Sequence, residues 1–240
     1  METVLVTGAA RRLGSFFARE LAAQGYFVWI HYHLHEKEAY QLCDEIRDRG
    51  GQADCINADL TDTAQIDRMI ETITASGHHD LTTLINNASV LVKGRIGNTS
   101  SEEWNRILDL NLKAVWYLST RFADRFLGLK RIITIGDASA AKGYSGHAVY
   151  GLSKYALKYL TKQLAEAYAP KVRVNLLSPG YVLQGDNEPD DVWKKRNEKT
   201  LTDNSLIMES VLKALHFLME DPGMTGSELF VDNGVHLYEK

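Results

Sequence analysis

Two side chains in the second half of the chain have the types and the spacing of a proton-transfer pair. Tyr150 and Lys154 stand four residues apart in the segment YGLSK, and residues i and i+4 share one face of a helix. A tyrosine with a pKa near 10 is a poor acid or base at neutral pH, but an adjacent ammonium stabilises the phenolate and lowers that pKa. The pair predicts acid–base chemistry at Tyr150, provided that its setting differs from the solvated helix face on which this spacing is commonplace.

A glycine-rich turn near the N-terminus has the pattern of a phosphate-binding loop. The segment TGAARRLG joins the first predicted strand to the first predicted helix. Gly8 permits a tight turn and a close approach of backbone to ligand, and Gly14 lets the helix pack against the sheet. The helix start offers free N–H groups and a positive dipole end, with Arg11, Arg12 and Leu13 around it. This position favours a dinucleotide phosphate site over a purely structural turn.

The end of the second predicted strand decides which nicotinamide cofactor is expected. A carboxylate there would bind the ribose hydroxyls and repel a 2′-phosphate, but the sequence has His31, His33, Leu34 and His35 instead. With two arginines in the glycine-rich turn, we predict NADPH rather than NADH. The histidines alternate, yet no Asp, Glu or Cys is spaced to complete a metal site, so no metal is expected. After the third and fourth strands, the groove is expected to be lined by Asp59, Leu60, Asn87, Ala88 and Ser89.

The elements that must position these groups follow from short apolar runs that alternate with segments of helical period. Strands are predicted at 3–7, 26–32, 53–57, 82–85, 131–135, 172–176 and 228–231. Several runs are apolar throughout, which is typical of a parallel sheet covered on both faces. Amphipathic patterns predict helices around 39–46 and 66–73, and Ser100 with Glu103 predicts a capping box opening a helix toward residue 126. The β-α order predicts a single α/β domain with right-handed crossovers and helices on both faces.

One polar and charged segment interrupts the alternation of predicted strands and helices. Residues 183–204 contain Pro189 and little apolar period, and an excursion of this length in a compact domain is usually functional. We predict that the segment is a lid over the substrate, the alternative being a surface insertion.

Composition places the chain among ordinary globular proteins. Of its 240 residues 45% are apolar and 24% are charged, and 27 basic against 31 acidic residues give a net charge of −4. These values exclude a disordered, fibrous or membrane-spanning chain. The mild acidity gives no reason to expect nucleic acid or an anionic membrane as partner. Two cysteines and no signal-peptide pattern predict a reducing, cytoplasmic setting.

The chain resembles the short-chain dehydrogenase/reductase family over nearly its full length. The matching blocks are TGAARRLG, NADL, NNAS, LNLKA, YGLSK, SPGYV and TGSELFVDNG. The resemblance implies a Rossmann-like, doubly wound fold of about seven parallel strands, a nicotinamide cofactor, and a homodimer or homotetramer. It also implies that Tyr150 is the proton donor, that Lys154 tunes its pKa and binds the nicotinamide ribose, and that Asn111 holds a proton-relaying water. From the SPGYV block it adds to the cofactor site Pro179, Gly180 and Val182.

Two substitutions make the chain similar to one subgroup of that family, the pteridine reductases. Asp137 stands where the family's usual catalytic serine lies, thirteen residues before Tyr150, and Arg12 replaces a small residue of the glycine-rich turn. The resemblance implies that Arg12 contacts cofactor phosphate and substrate, and that Asp137 works with Tyr150 as the acid. Substrate contacts are accordingly expected at Arg12, Ser89, Leu91, Asp137, Tyr150 and Tyr181.

The carboxylate at position 137 also discriminates between substrates on chemical grounds. A serine hydroxyl donates to a developing alkoxide, whereas an aspartate accepts and matches the ring and amino N–H groups of a pterin. We therefore predict hydride transfer to a C=N bond of a pterin or dihydrofolate-like substrate. Leu91, however, stands where that subgroup has a stacking aromatic residue, and Leu34 where it has an arginine. The alternatives are reduction of a ketone, aldehyde or sugar carbonyl and, disfavoured by the intact proton-transfer residues, a non-catalytic nucleotide-sensing protein.

Overall fold

The computed structural model describes residues 1–77, 81–144, 146–186, 188–198, 200–202 and 206–237. Within these ranges the strands are β1 Thr3–Val6, β2 Phe27–Tyr32, β3 Gln52–Asn57, β4 Leu81–Asn86, β5 Arg131–Ile135, β6 Arg173–Pro179 and β7 Glu228–Val231. The α-helices are α1 Arg12–Ala23, α2 Glu36–Asp48, α3 Thr63–Ala75, α4 Ser101–Leu108, α5 Ala114–Arg125, α6 Ala148–Tyr168, α7 Asp190–Asn197 and α8 Met208–Glu220.

The seven strands form one parallel sheet. Their order is β3-β2-β1-β4-β5-β6-β7, and every neighbouring pair is parallel. The chain therefore winds outward in one direction from β1 to β3 and in the other from β4 to β7. At such a reversal the loops after two adjacent strands diverge and leave a crevice at the carboxyl edge of the sheet. The predicted single Rossmann-like α/β domain is confirmed.

Helices cover both faces of the sheet, which explains the uninterrupted apolar runs of strands such as β1 and β2. On one face α1, α2 and α8 bury Phe17, Leu42 and Leu215 against the sheet. On the other face α3, α5 and α6 bury side chains that include Ile66 and Phe122. Each fully buried side chain of this kind contributes roughly 1.5–3 kcal/mol relative to its exposed state, so the two layers hold the carboxyl edge of the sheet in place.

Glycine residues follow the first three helices. Gly25, Gly50 and Gly77 follow α1, α2 and α3 with positive φ angles of 89°, 81° and 78°, a backbone region that glycine occupies without strain. The Ser100–Glu103 capping box that opens α4 is also present.

Two predicted boundaries were wrong in detail, and the predicted lid segment is partly helical. The long helix from residue 100 toward 126 is α4 and α5 joined by a π-helical turn over Asp109–Lys113. The sixth strand begins at Arg173 and continues to Pro179, because Ser178 and Pro179 pair with Phe230 and Val231 of β7. The polar segment 183–204 contains α7, and its residues 187, 199, 203 and 204 lie outside the described residues.

Among the described residues, no helix combines the length and the apolar character needed to cross a membrane. Nor does any group of three or more His, Cys, Asp or Glu side chains there form a potential metal site.

Candidate active site

The glycine-rich turn lies so close to the loop after β4 that its glycines are required. A Cβ on Gly8 would meet the Cα of Ala88 at 2.9 Å, and the φ of Gly8 is +61°. A Cβ on Gly14 would meet both Asn87 Nδ2 and the Gly8 carbonyl oxygen at 2.6 Å. Any other residue at these positions would push the turn away from the crevice.

Hydrogen bonds from β4 hold one side of the turn. The Thr7 hydroxyl accepts from the backbone N–H groups of Asn87 and Ala88 at 2.9 and 3.0 Å. In return the Asn87 amide donates to the carbonyls of Thr7 and Gly8 at 2.8 and 3.1 Å. Asn87 was predicted to line the cofactor groove, and the structure shows that it also fixes the phosphate loop.

A buried histidine of β2 holds the other side of the turn. The Gly8 N–H donates to His31 Nδ1 at 3.0 Å, and His31 Nε2 bonds the Ala58 carbonyl at 3.0 Å. Burial lowers the pKa of His31 to about 4. His31 is absent from the predicted site residues, because a histidine inside an apolar strand looks like packing; its partners become visible only when β1 and β3 are placed beside it.

A cavity of about 780 Å³ opens over this turn at the carboxyl edge of the sheet. It brings together thirteen of the predicted cofactor residues, namely Gly8, Arg11, Arg12, Leu13, Gly14, His33, Leu34, His35, Asp59, Leu60, Asn87, Ala88 and Ser89.

Six further side chains line the same cavity without having been predicted. They are His31, Thr61, Val90, Arg106, Leu110 and Asp186. The predicted cofactor residues Pro179, Gly180 and Val182 lie after or at the end of β6, outside this cavity lining; Gly180 bonds β7 through Val231.

The start of α1 is available to an anion. Arg11 stands at the N-cap position, but its side chain makes no hydrogen bond to the first turn of the helix, and that turn contains no acidic residue. The two arginines here contact the carboxylate of Asp186, Arg11 at 2.8 Å and Arg12 at 2.6 Å. Arg12 also donates to the Gln184 carbonyl at 3.0 Å. Basic charge is thus concentrated at the cavity mouth, together with one carboxylate of segment 183–204.

The end of β2 carries imidazoles and an exposed leucine. His33 Nε2 lies 3.9 Å from Asp59 Oδ2, and His35 Nδ1 lies 3.5 Å from Glu38 Oε1. Leu34 is 79% exposed. Asp59 itself accepts from the Thr61 N–H at 2.9 Å, which keeps its carboxylate turned toward its own loop.

A second cluster, formed by Tyr150, Asp137 and Lys154, lies where β5 and α6 meet. The Tyr150 hydroxyl donates to Asp137 Oδ2 at 2.9 Å. The other carboxylate oxygen accepts from the Ser139 N–H at 2.7 Å, where Asp137 caps the short 3₁₀ turn Ala138–Lys142. Lys154 Nζ donates to the Ile135 carbonyl at 2.8 Å. The structure thus brings the three predicted proton-transfer residues together.

The ionisation of this cluster differs from the sequence-based expectation. Burial, and then the Asp137 carboxylate, raise the pKa of Tyr150 well above its usual value. The ammonium of Lys154 lies 5.9 Å from the centre of the tyrosine ring and does not outweigh these effects. Burial lowers the pKa of Lys154 itself to about 8, although Asp137 opposes that shift. At neutral pH Tyr150 therefore keeps its proton and Lys154 is mostly an ammonium.

Asn111, in the π-helical turn, links the cavity to the helix of Tyr150. Its Oδ1 accepts from the Val90 N–H at 2.8 Å and the Ser89 hydroxyl at 3.2 Å. Its Nδ2 donates to the Val90 carbonyl at 3.0 Å and to Ser153 Oγ at 3.1 Å. Ser153 in turn donates to the Tyr150 carbonyl at 2.7 Å. This side chain orders the loop after β4, and its role in holding a water stays a prediction.

Two remaining predicted substrate residues lie in the loops that follow β4 and β6. Leu91 is 57% exposed, and Tyr181 follows β6 directly and is partly buried. An unpredicted aromatic residue is also present, since the ring of Tyr144 lies 6.2 Å from that of Tyr150, centre to centre. Its position three residues before His147 in a loop gives no sequence signal of this contact.

A parallel α/β sheet with a glycine-rich turn at its switch point and a tyrosine–lysine pair beside it defines a Rossmann-type oxidoreductase. The family model described as enoyl-(acyl carrier protein) reductase matches residues 8–236. The chain belongs to the short-chain dehydrogenase/reductase family.

Relatives within this family act on different substrates by name. The chain is 31% identical to 3beta-hydroxysteroid dehydrogenase 1 of Eggerthella lenta, over 99% of this chain and 94% of that protein. It is also 31% identical to a cyclopentanol dehydrogenase of Comamonas testosteroni, over 97% of this chain and 96% of that protein. The structure of FolM alternative dihydrofolate reductase 1 from Brucella canis, complexed with NADP, matches with a TM-score of 0.90 at 27% sequence identity. The match covers 99% of this chain and 95% of the Brucella chain.

Proposed function

We propose that the protein is an NADPH-dependent reductase that transfers hydride to a C=N bond of a pterin or dihydrofolate-like substrate. The observation that carries this proposal is the 2.9 Å hydrogen bond from Tyr150 to Asp137. This bond places a carboxylate beside the proton donor. A carbonyl reductase benefits instead from a hydroxyl at this position, because a hydroxyl can donate a hydrogen bond to the developing alkoxide. The likeness to an NADP-bound alternative dihydrofolate reductase supports the same substrate class.

The cavity over the glycine-rich turn fits NADPH. The uncapped first turn of α1 presents N–H groups to a pyrophosphate, and Gly8 leaves room for close approach, since a side chain there would strike Ala88. Arg11 and Arg12 supply positive charge at the same end. The end of β2 has imidazoles where an NADH site has a carboxylate, so a 2′-phosphate meets no fixed negative charge from that strand.

Each proton-transfer residue has a distinct role in the proposed reaction. When bound, NADPH supplies the hydride that reduces the carbon of the C=N bond. Tyr150 keeps its proton at neutral pH because its pKa is raised, and it donates that proton to the nitrogen. The ammonium of Lys154 stabilises the phenolate that is left behind. Asp137 accepts a hydrogen bond from an N–H group of the substrate and so orients the ring against Tyr150.

In this proposal an aromatic ring, a lid segment and the tyrosine that precedes that segment enclose the substrate. Tyr144 offers the aromatic face that Leu91 lacks, since its ring stands 6.2 Å from that of Tyr150, and stacked or edge-on rings at such distances gain about 0.5–1.5 kcal/mol. Segment 183–204 forms a lid, and Asp186 ties it to the glycine-rich turn through Arg11 and Arg12. In this proposal Tyr181, at the base of the segment, contacts the substrate.

A carbonyl reductase is the second candidate, and it is favoured by the names of the steroid and cyclopentanol dehydrogenases that the chain resembles. In that case Asp137 would be structural, serving only as the cap that accepts from the Ser139 N–H.

A substrate panel tests the proposal. Purified protein is mixed with NADPH and with dihydrobiopterin, dihydromonapterin, dihydrofolate, or a set of ketones and aldehydes, and NADPH absorbance is followed. We expect oxidation with a pterin or folate that Tyr150→Phe abolishes. Oxidation with carbonyls alone would support the second candidate, and NADP⁺ binding without turnover on any substrate would support a nucleotide sensor.

We also propose that the protein is a homodimer or homotetramer. A groove of about 640 Å³ runs between α4, the π-helical turn and α6. Its lining includes Leu108, Leu112, Trp116, Tyr159 and Leu160, and Trp116 and Tyr159 are 47% and 69% exposed. An exposed apolar surface of this kind is typical of a contact between protein subunits.

A further inference from the structure

His31 joins two loops that both line the cofactor cavity. Its Nδ1 accepts from the N–H of Gly8 in the glycine-rich turn, and its Nε2 bonds the carbonyl of Ala58 in the loop after β3. Both distances are 3.0 Å. The backbone carbonyl of His31 also accepts from the Ala9 N–H at 2.9 Å. One interior residue thus connects the phosphate-binding turn to the loop that carries Asp59.

The partners of His31 determine its tautomer and its charge. A backbone N–H can only donate and a carbonyl can only accept, so Nδ1 must be unprotonated and Nε2 must carry the hydrogen. A proton on Nδ1 would face the Gly8 N–H and break the bond. The side chain is buried, and burial keeps its pKa near 4; the ionisable groups that face it are His33 and Asp59.

Gly8 is held on both sides by side chains of neighbouring strands. Asn87 donates to its carbonyl at 3.1 Å, while His31 accepts from its N–H. Because Gly8 has a φ of +61° and packs tightly against Ala88, its orientation depends on both bonds. Loss of either lets the turn rotate, and with it the N–H groups at the start of α1.

We propose that His31 is a positioning residue for NADPH, which as a neutral imidazole preforms the phosphate-binding turn through Gly8 and the adjoining loop through Ala58. The inference rests on the proposed function, since it assumes that the cavity binds a dinucleotide. His31 does not contact the reacting atoms, so it acts on cofactor affinity and leaves the chemical step unchanged.

Three variants separate this role from simple core packing. Asparagine places an amide oxygen near the position of Nδ1, and glutamine places an amide nitrogen near that of Nε2. His31→Asn therefore keeps the acceptor for Gly8, His31→Gln keeps the donor for Ala58, and His31→Leu keeps neither. The dissociation constant for NADP⁺ is measured by calorimetry on each folded variant, and KM for NADPH and kcat are measured with the substrate found in the panel.

We expect His31→Gln to bind NADP⁺ about tenfold more weakly, as loss of the hydrogen bond to Gly8 implies. His31→Leu, which loses both bonds, should bind at least as weakly as His31→Gln. His31→Asn should stay within about threefold of the wild type. KM for NADPH should follow these changes while kcat at saturating NADPH stays constant.

Equal affinities in all three variants, or a loss in His31→Asn as large as in His31→Leu, would show that the residue only fills the core. The comparison of the asparagine and glutamine variants stands even where His31→Leu does not fold. Failure of the wild-type protein to bind NADP⁺ would instead overturn the proposed function.

Discussion

At the scale of single residues, the hydrogen bond from Tyr150 to Asp137 favours the protonated form of the proposed proton donor. A carboxylate that accepts from the phenol disfavours the phenolate, and burial acts in the same sense. Tyr150 is therefore held as a proton donor, the form that a reductase needs. Residue types and spacing predicted the pair Tyr150–Lys154 and its partner Asp137. They did not predict that the pKa of Tyr150 is raised, because the shift depends on how deeply the fold buries the ring.

The charge of Lys154 gives a prediction for the dependence of the rate on pH. A lysine is a cation below its pKa, so Lys154, with a pKa of about 8, loses its charge as pH rises through that value. Since the ammonium stabilises the phenolate product of proton donation, kcat/KM for reduction should fall about tenfold per pH unit above pH 8. The measurement is a pH–rate profile between pH 6 and 10.

Lys154→Arg serves as its control. Arginine keeps its charge throughout this range, so the alkaline decline near pH 8 should disappear even where the overall rate is lower. The same decline in both proteins would assign it to another group and contradict the prediction.

His31 predicts a change in stability on acidification. Its pKa is about 4 in the folded protein against about 6.5 in an unfolded chain, so between these values the unfolded state binds more protons. Stability must then rise with pH in this window and fall as pH drops from 6.5 toward 4. Between pH 7.5 and pH 5, His31 should account for a loss of about 2 kcal/mol.

Urea denaturation at the two pH values measures this loss. The pH-dependent loss should be smaller by that amount in His31→Asn, which has no titrating ring. An unchanged difference between the two pH values in the variant would show that His31 is not buried in a neutral form.

At the scale of secondary-structure elements, the loops after the parallel strands build the cavity. The positions of these loops were predictable, because the end of each apolar run marks where a strand stops. The π-helical turn at Asp109–Lys113 was not, since its helical pattern continues through it. The contacts of Asp186 were also unpredictable. Asp186 lies 174 residues after Arg12, and its segment has no apolar period that would indicate how it packs.

The contact of segment 183–204 with the glycine-rich turn predicts an effect on cofactor affinity. Asp186 bonds the same two arginines that face the phosphate end of the cavity, and its negative charge competes with that of a phosphate. Asp186→Asn should therefore bind NADP⁺ several-fold more tightly. Its melting temperature should barely change, since exposed ion pairs contribute only about 0–1 kcal/mol.

Asp191→Asn is the matched control, because Asp191 is an exposed carboxylate of the same segment that pairs with Lys195 at 3.6 Å. It should leave the dissociation constant unchanged. Weaker binding of NADP⁺ by Asp186→Asn would mean that the contact assists the bound state, contrary to the prediction.

At the scale of the whole molecule, the seven-stranded parallel sheet was the most predictable feature. When both faces of a sheet are buried, its strands lack the alternation of apolar and polar residues, and this is visible in the sequence at Val4–Val6 and Ile132–Ile135. Assembly leaves a weaker mark, because a tryptophan on a helix packs equally well in a core or against another subunit.

The groove of the proposed subunit contact supplies a test of assembly. Trp116→Glu places a charge in an apolar contact and should shift the protein toward monomer in sedimentation equilibrium. Tyr40→Glu is the control, since Tyr40 is a comparably exposed aromatic residue of α2, at 49%. A wild-type protein that sediments as a monomer, or an assembly unaffected by Trp116→Glu, would contradict the proposed contact.

The central claim, that Asp137 selects a C=N substrate, is tested most directly by Asp137→Ser. The measured quantity is the ratio of kcat/KM for dihydrobiopterin, or the best pterin or folate of the panel, to kcat/KM for the best carbonyl substrate. In the proposed reaction Asp137 accepts a hydrogen bond from the substrate, and in the structure it also bonds Tyr150, so its loss should lower pterin turnover by about 10²-fold. The serine hydroxyl should leave carbonyl turnover unchanged or raise it. A fall of the ratio by about 10² is the predicted result, and a ratio equal to that of the wild type would show that the aspartate does not determine the substrate.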